Sequence, residues 1–377
     1  MGATVSALSI LKIAVNSRML LEQGTGVPNY IACLYEACLR LDSANQYIFF
    51  QPGRSRVLGE TVVAGAPPGL AGAAWFDSFQ TQRLIRQTRP DIFHAPSHIL
   101  PLRKLPGVKY VVTIHDLAFL VLPGHYDWKH RVYYGWQVAR SARMADRIVA
   151  DSLHTKNDII RFYRIPAERI EVVHLAVAEH YFQAGQSPLP RLVAEKYFLA
   201  VTTHPKRKNV VGALRAFATF ASRSDVIFVV AGPMNEGSRR EFLSLAERLG
   251  VGNRVRLWGY ADGPQMAALY QHAEFTIYPS FYEGFGMPAA EAMACRCPVI
   301  TSNVSSLPEV MPDGEWLVNP YDIGDMADKM QRMLALTPEA RRQIGEKNRQ
   351  HAQQFTWEKA ARQMLEIFDT LRDKQVK

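Results

Sequence analysis

The stretch Pro279-Ser280-Phe281-Tyr282-Glu283-Gly284-Phe285-Gly286-Met287-Pro288-Ala289-Ala290-Glu291-Ala292-Met293 decides how this chain is read. It follows a short apolar run, Phe275–Tyr278, that reads as a strand, and it leads into a helical pattern. Gly284 and Gly286 let the backbone pass close to a ligand or adopt unusual dihedrals. Pro288 suits a first helical turn. The N–H groups at such a helix start point toward a phosphate or sugar oxygen. Glu283 precedes the helix and Glu291 lies inside it. A carboxylate can accept two hydroxyl hydrogen bonds, so this pair suits a polyhydroxyl ligand.

Outward from this motif, apolar runs alternate with amphipathic stretches. In the first half the strand candidates are Leu11–Val15, Tyr47–Phe50, Asp91–His94, Tyr110–Ile114, Arg147–Ala150 and Ile170–Val173. In the second they are Tyr197–Val201, Val226–Val230, Arg254–Trp258, Phe275–Tyr278 and Pro298–Thr301. Most are short, β-branched and apolar on both faces, as central strands of a parallel sheet are. The alternation predicts an α/β fold with right-handed crossovers. The rhythm breaks between Glu179 and Arg191, where two prolines, a glycine and a serine predict a loop or linker. Two Rossmann-like domains follow, residues 1–182 and 192–356. In doubly wound sheets ligands bind outside the carboxyl ends of the strands, so two such domains facing each other predict one shared cleft. Residues 355–373 read as an amphipathic helix that Thr356 could cap.

Composition narrows the classes. The chain has 377 residues, 48% hydrophobic and 21% charged, which excludes wholesale disorder. No apolar run reaches the roughly 18 residues that span a bilayer. The first ten residues have no basic region, so no signal peptide is expected and the protein is expected to be cytoplasmic. The four cysteines have neither zinc nor redox spacing and read as small buried thiols. The net charge is +9, and residues 80–170 carry 15 Lys/Arg against 7 Asp/Glu. That field favours nucleotides, phosphorylated acceptors or an anionic membrane surface. No nucleic-acid-binding motif occurs, so no nucleic-acid partner is expected. Tyr126–Arg147 mixes Trp128, Tyr133, Tyr134 and Trp136 with Lys129, Arg131, Arg140 and Arg143. It suits either peripheral membrane contact or a helix packing its aromatic face on the first domain, and the second reading is preferred.

The Glu283-x7-Glu291 spacing and its surroundings resemble the signature of GT-B glycosyltransferases of family 4. The resemblance implies two facing Rossmann-like domains with an interdomain active site, and a C-terminal helix, about 357–377, crossing back to the first domain. It implies transfer of a hexose from a nucleotide-sugar to a glycan or lipid-linked glycan with retention of configuration. Glu283 is implied to contact the transferred sugar and Glu291 the ribose. The N–H groups of Phe285, Gly286 and Met287 are implied to line the sugar and phosphate site. Arg207 and Lys208, in Lys206-Arg207-Lys208-Asn209, resemble the family's pair that grips the donor diphosphate; some relatives carry a further arginine where this chain has Thr202 and Thr203. Gly24 and Gly26 resemble its glycine loop, although Asn29 departs from a full dinucleotide fingerprint. His115 resembles the catalytic-site histidine, with Asp116 beside it, and His94 and His98 are acceptor-side candidates. The base is expected near Tyr260. The loop Thr301–Val310 is expected to buttress the glutamate motif. GDP-mannose is the preferred donor and a UDP-sugar the alternative. No Asp-x-Asp occurs, so transfer without a metal or other cofactor is expected. A nucleotide-sugar epimerase and a non-catalytic sugar-nucleotide binder are the other classes weighed.

Overall fold

A computed structural model describes residues 10–21, 26–53, 58–67, 69–203, 206–311 and 313–372. Seven parallel strands form the first sheet: β1 (Lys12–Asn16), β2 (Gln46–Gln51), β3 (Glu60–Val63), β4 (Ile92–Ala95), β5 (Lys109–Ile114), β6 (Arg147–Ala150) and β7 (Ile170–Val172), in the order β3-β2-β1-β4-β5-β6-β7. Six more form the second: β8 (Tyr197–Val201), β9 (Ile227–Ala231), β10 (Val255–Gly259), β11 (Thr276–Tyr278), β12 (Val299–Ser302) and β13 (Leu317–Val318), in the order β10-β9-β8-β11-β12-β13. Among the described residues all pairings are parallel. The expected α/β architecture holds. Central strands such as β4 and β9 are buried along their whole length, which explains their unbroken apolar runs.

The sequence reading missed β3 and β13. Both lie at sheet edges. β3 is exposed or half-buried throughout, and β13 has only two residues, so neither carries an apolar run. The expected linker also begins as a helix, Glu179–Ala184. Tyr181, Phe182 and Ala184 are buried in the core there, and that burial outweighs the loop-like composition. Pro188 and Pro190 lie beyond its end.

Two compact units result. Unit 1 comprises Met1–Leu117, Trp128–His174 and Trp357–Lys377; unit 2 comprises Ala118–Asp127 and Leu175–Thr356. In unit 1 the helix Trp357–Arg372 packs on the helix Val27–Leu41. It buries Met364, Ile367, Phe368 and Leu371, each worth about 1.5–3 kcal/mol of transfer free energy. In both sheets the strand order reverses once. The reversal falls between β1 and β4 in the first and between β8 and β11 in the second. Ligands of such folds bind at the carboxyl ends of these strand pairs.

On the helix Trp128–Met144, Tyr134 packs against His98 as the preferred reading expects, but Trp128, Tyr133 and Trp136 do not pack. Trp128 and Trp136 are 65% and 57% exposed, and Val132 and Tyr133 are exposed beside them. The pattern i, i+4, i+5, i+8 places all four on one face. The four cysteines are free thiols; three are buried and Cys33 is half-buried.

Candidate active site

In unit 2, β8 and β11 each deliver their following residues to the switch point. Asn209 takes a left-handed conformation (φ 53°) and caps the helix Val210–Ala218 by accepting from the Gly212 N–H. Its amide also donates to the Pro320 carbonyl at 2.8 Å. This fixes the neighbouring Arg207 and Lys208. After β11, Gly286 at φ 113° opens the helix Met287–Ala294. A Cβ there would lie 2.6 Å from the Leu307 side chain, so only glycine fits without a shift.

These turns bring together the residues that the sequence singled out. Lys208 Nζ lies 2.7 Å from Glu283 Oε1, and Arg207 lies 3.8 Å from Glu283 Oε2. The Tyr278 hydroxyl donates to Glu283 Oε1 at 2.9 Å and also meets Lys208. Glu283 and Lys208 are both buried. Burial alone would raise the Glu283 carboxyl, but Lys208 and Arg207 outweigh it and hold the group at about 2. Glu283 is therefore a fixed carboxylate. Glu291 has the opposite character. Burial pushes it up to about 7, against a hydrogen bond from Tyr270 at 3.3 Å and the charge of Lys208. It is a desolvated acceptor, stabilised as a carboxylate by any hydroxyl pair that reaches it.

The loop after β12 buttresses the motif, as expected. The Ser305 hydroxyl accepts from the Glu283 N–H at 3.0 Å. The Ser306 hydroxyl meets the Glu283 and Phe285 carbonyls at 3.0 and 2.8 Å. Phe285 is buried against Phe355, so its side chain is a core group. Tyr260 is 65% exposed, and Met287 is the first residue of its helix.

In unit 1, Gly26 takes φ 91° and stands at the N-cap of the helix Val27–Leu41; Gly24 lies outside the described residues. His115 follows β5. Its Nδ1 lies 2.8 Å from Asp151 Oδ2 and its Nε2 2.9 Å from the Pro96 carbonyl. The Pro96 carbonyl only accepts, so Nε2 donates to it, and Nδ1 is shared with the Asp151 carboxyl, which burial raises. Burial works to lower the imidazole, but Asp151 outweighs it and the group is raised. Both ring nitrogens are engaged, so Asp151 and the Pro96 carbonyl hold the ring in place.

The sequence reading missed Asp151 and Tyr278. The register Ile114↔Ala150 makes His115 and Asp151 the next residues on neighbouring strands, a relation visible only once strand order is known.

His94 is a correction. It is fully buried, bonded to the Tyr35 hydroxyl at 2.5 Å and the Thr113 hydroxyl at 2.9 Å. Burial pushes it to about 3, so it is a neutral core histidine and not an acceptor contact. His98 does stand at the strand ends. It adopts φ 65°, its ring lies 5.2 Å from that of His115, and burial lowers it to about 3. Asp116 is half-buried beside them.

Comparison with known proteins agrees with this geometry. Residues 26–180 match the family described as Glycosyltransferase Family 4, and residues 188–351 match Glycosyl transferases group 1. The chain is 32% identical over 296 residues to an O-antigen chain mannosyltransferase B of Escherichia coli, covering 76% of each. It is 29% identical over 245 residues to an MMP alpha-(1->4)-mannosyltransferase of Mycolicibacterium hassiacum, covering 63% of this chain and 58% of that one. In structure it resembles the sucrose-phosphate synthase of Thermosynechococcus elongatus, with a TM-score of 0.77, 22% identity and coverage of 95% and 98%. That likeness is one of fold. The chain belongs to glycosyltransferase family 4 and is a glycosyltransferase of GT-B fold.

Proposed function

We propose that the protein moves a hexose, preferentially mannose from GDP-mannose, onto a glycan or lipid-linked glycan, with retention of configuration and without a metal. The observation that carries this is the Arg207–Lys208–Glu283 cluster at the β8/β11 switch point, with Glu291 in the adjoining helix. Arg207 and Lys208 offset the charge that develops on the diphosphate as the bond from the sugar C1 to phosphate oxygen breaks. The N-terminal end of the helix Met287–Ala294 adds its dipole. The acceptor oxygen then bonds C1 on the same face, and its proton passes to the departing phosphate. Glu291 accepts hydrogen bonds from the ribose. The mannosyltransferase relatives favour the GDP-mannose reading over the UDP-sugar alternative.

The exposed Trp128, Val132, Tyr133 and Trp136, with Lys129 and Arg143 on the same helix, support peripheral contact with an anionic membrane. Among the described residues no helix is long and apolar enough to cross a membrane.

The direct test is transfer from GDP-mannose to a mannoside acceptor in the presence of chelator, with the anomeric configuration of the product read by NMR. An α-linked product supports the reading. Activity only with UDP-sugars supports the alternative, and activity lost on chelation while the fold persists contradicts the metal-independent part.

A further inference from the structure

The carboxyl end of the β1/β4 switch point in unit 1 carries a second polar cluster, apart from His115 and Asp151. Asn16 ends β1, and its amide donates to Asp77 Oδ1 at 2.8 Å. Arg18 Nε donates to the same oxygen at 3.1 Å, and the Arg18 N–H donates to Asn16 Oδ1 at 3.2 Å. Asp77 sits in a π-helical turn, Phe76–Gln80. Such turns are concentrated at functional sites. Across the switch point, His98 follows β4. Its positive φ is held by its N–H donating to the Thr113 carbonyl at 2.9 Å. Backbone strain of this kind persists only where the surroundings enforce it. The His98 ring lies 5.9 Å from Tyr134, and its buried Nδ1 has no hydrogen-bond partner.

The charges here oppose the basic balance of the whole chain. Arg18 is matched by Asp77, and His115 by Asp151. Asp116 and Asp77 act on the Tyr134 hydroxyl more strongly than Arg18 does, although burial is the larger influence on that group. His98 is neutral. A phosphate brought to this spot meets the carboxylates of Asp77 and Asp116, while the Arg18 guanidinium and the His115 ring are already paired with Asp77 and Asp151. A neutral pyranose meets aromatic rings to lie against, carboxylates to accept its hydroxyls and a guanidinium to donate.

We infer that Arg18, Asp77, His98 and Tyr134 form the subsite that selects an uncharged pyranose terminus as acceptor and disfavours a phosphorylated one. This deepens the transferase reading and rests on it.

The test uses saturation-transfer NMR on the full-length protein with saturating GDP or UDP. The probes are the methyl α-glycosides of mannose, glucose, galactose and N-acetylglucosamine, alongside the corresponding 6-phosphates. At least one glycoside is expected to bind, and its 6-phosphate to bind about tenfold more weakly. Arg18→Gln is expected to lose about tenfold in glycoside affinity, the scale of one charge-assisted hydrogen bond, and Tyr134→Ala about as much through the lost ring contact. Tyr134→Phe, which keeps the ring, should retain most of it. Nucleotide affinity, measured on the same samples, reports separately on unit 2, and calorimetric unfolding reports on the fold of each variant. Glycoside binding unchanged in both variants, tighter binding of the 6-phosphate, or no glycoside binding while GDP or UDP binds, each overturns the subsite. Failure of every nucleotide to bind overturns the transferase reading instead.

Discussion

Replacing Glu283 by glutamine separates the stability role of this residue from its chemical role. Glutamine is close in shape to the protonated carboxyl, so the change removes charge and little else. In the fold the carboxyl is held at about 2, whereas an unfolded glutamate titrates near 4.3. Because the folded value is depressed, the stabilisation is fully present above the unfolded value and is lost as pH falls toward the folded one. It amounts to about 3 kcal/mol at pH 7 and about half that at pH 3. For a unit of this size each kcal/mol shifts Tm by about 2–4 °C, so Glu283→Gln should lower the calorimetric Tm by about 6–12 °C at pH 7. The gap in urea stability between wild type and variant should narrow to about half by pH 3. Turnover should fall by about 100-fold or more if Glu283 acts on the transferred sugar. GDP or UDP should bind at least as tightly, since Arg207 and Lys208 lose their internal counter-charge. A Tm unchanged at pH 7, or a stability gap that does not vary with pH, would refute the buried ion-pair reasoning. Unchanged turnover would refute the catalytic assignment.

Other consequences can be checked separately. Glu291 ionises near 7, and its carboxylate form is the better hydroxyl acceptor, so nucleotide affinity should rise up to about tenfold from pH 6 to pH 8. Glu291→Gln should flatten that profile, as titration calorimetry would show. Asp151→Asn removes the counter-charge that raises His115; a ring-nitrogen NMR titration should show the imidazole losing its proton at lower pH in the variant than in wild type. Turnover should drop roughly tenfold or more while GDP or UDP affinity stays constant. Gly286→Ala forces a side chain to φ 113° and toward Leu307, which should cost about 1–3 kcal/mol by denaturant unfolding. Co-sedimentation with phosphatidylglycerol vesicles should exceed that with phosphatidylcholine, and Trp128→Ser with Trp136→Ser should abolish the excess.

The parts of this protein that were legible in its sequence are those whose signal is local. Central strands such as Tyr197–Val201 announce themselves because both faces are buried, and the turn around Gly286 because glycine and proline report dihedral needs directly. Edge strands do not. Glu60–Val63 is exposed or half-buried, and its β-branched Thr61, Val62 and Val63 are too short a run to stand out as a strand. The charged cluster was half legible. Arg207, Lys208 and Glu283 could be named, but their mutual pairing depends on β8 and β11 being neighbours although Lys208 and Glu283 are 75 positions apart. His94 was misjudged for a related reason. A histidine at a strand end looks like a site residue until the Tyr35 and Thr113 hydroxyls, from distant segments, are seen to satisfy it. The helix Trp128–Met144 shows the converse: its aromatic periodicity indicates a stripe but not whether a partner covers it.

The most direct test of the central claim is a thermal-shift comparison of GDP, UDP, ADP and their sugar conjugates in chelator, on wild type and on Arg207→Ala. A ligand at about 100 times its Kd adds roughly 2.7 kcal/mol to the folded state, a readily measured rise in Tm. Stabilisation by GDP and GDP-mannose, lost in Arg207→Ala, is the expected result. Stabilisation by UDP compounds alone would shift the donor, whereas no stabilisation by any nucleotide, or stabilisation unchanged in the variant, would contradict the placement of the donor diphosphate on the Arg207–Lys208–Glu283 cluster.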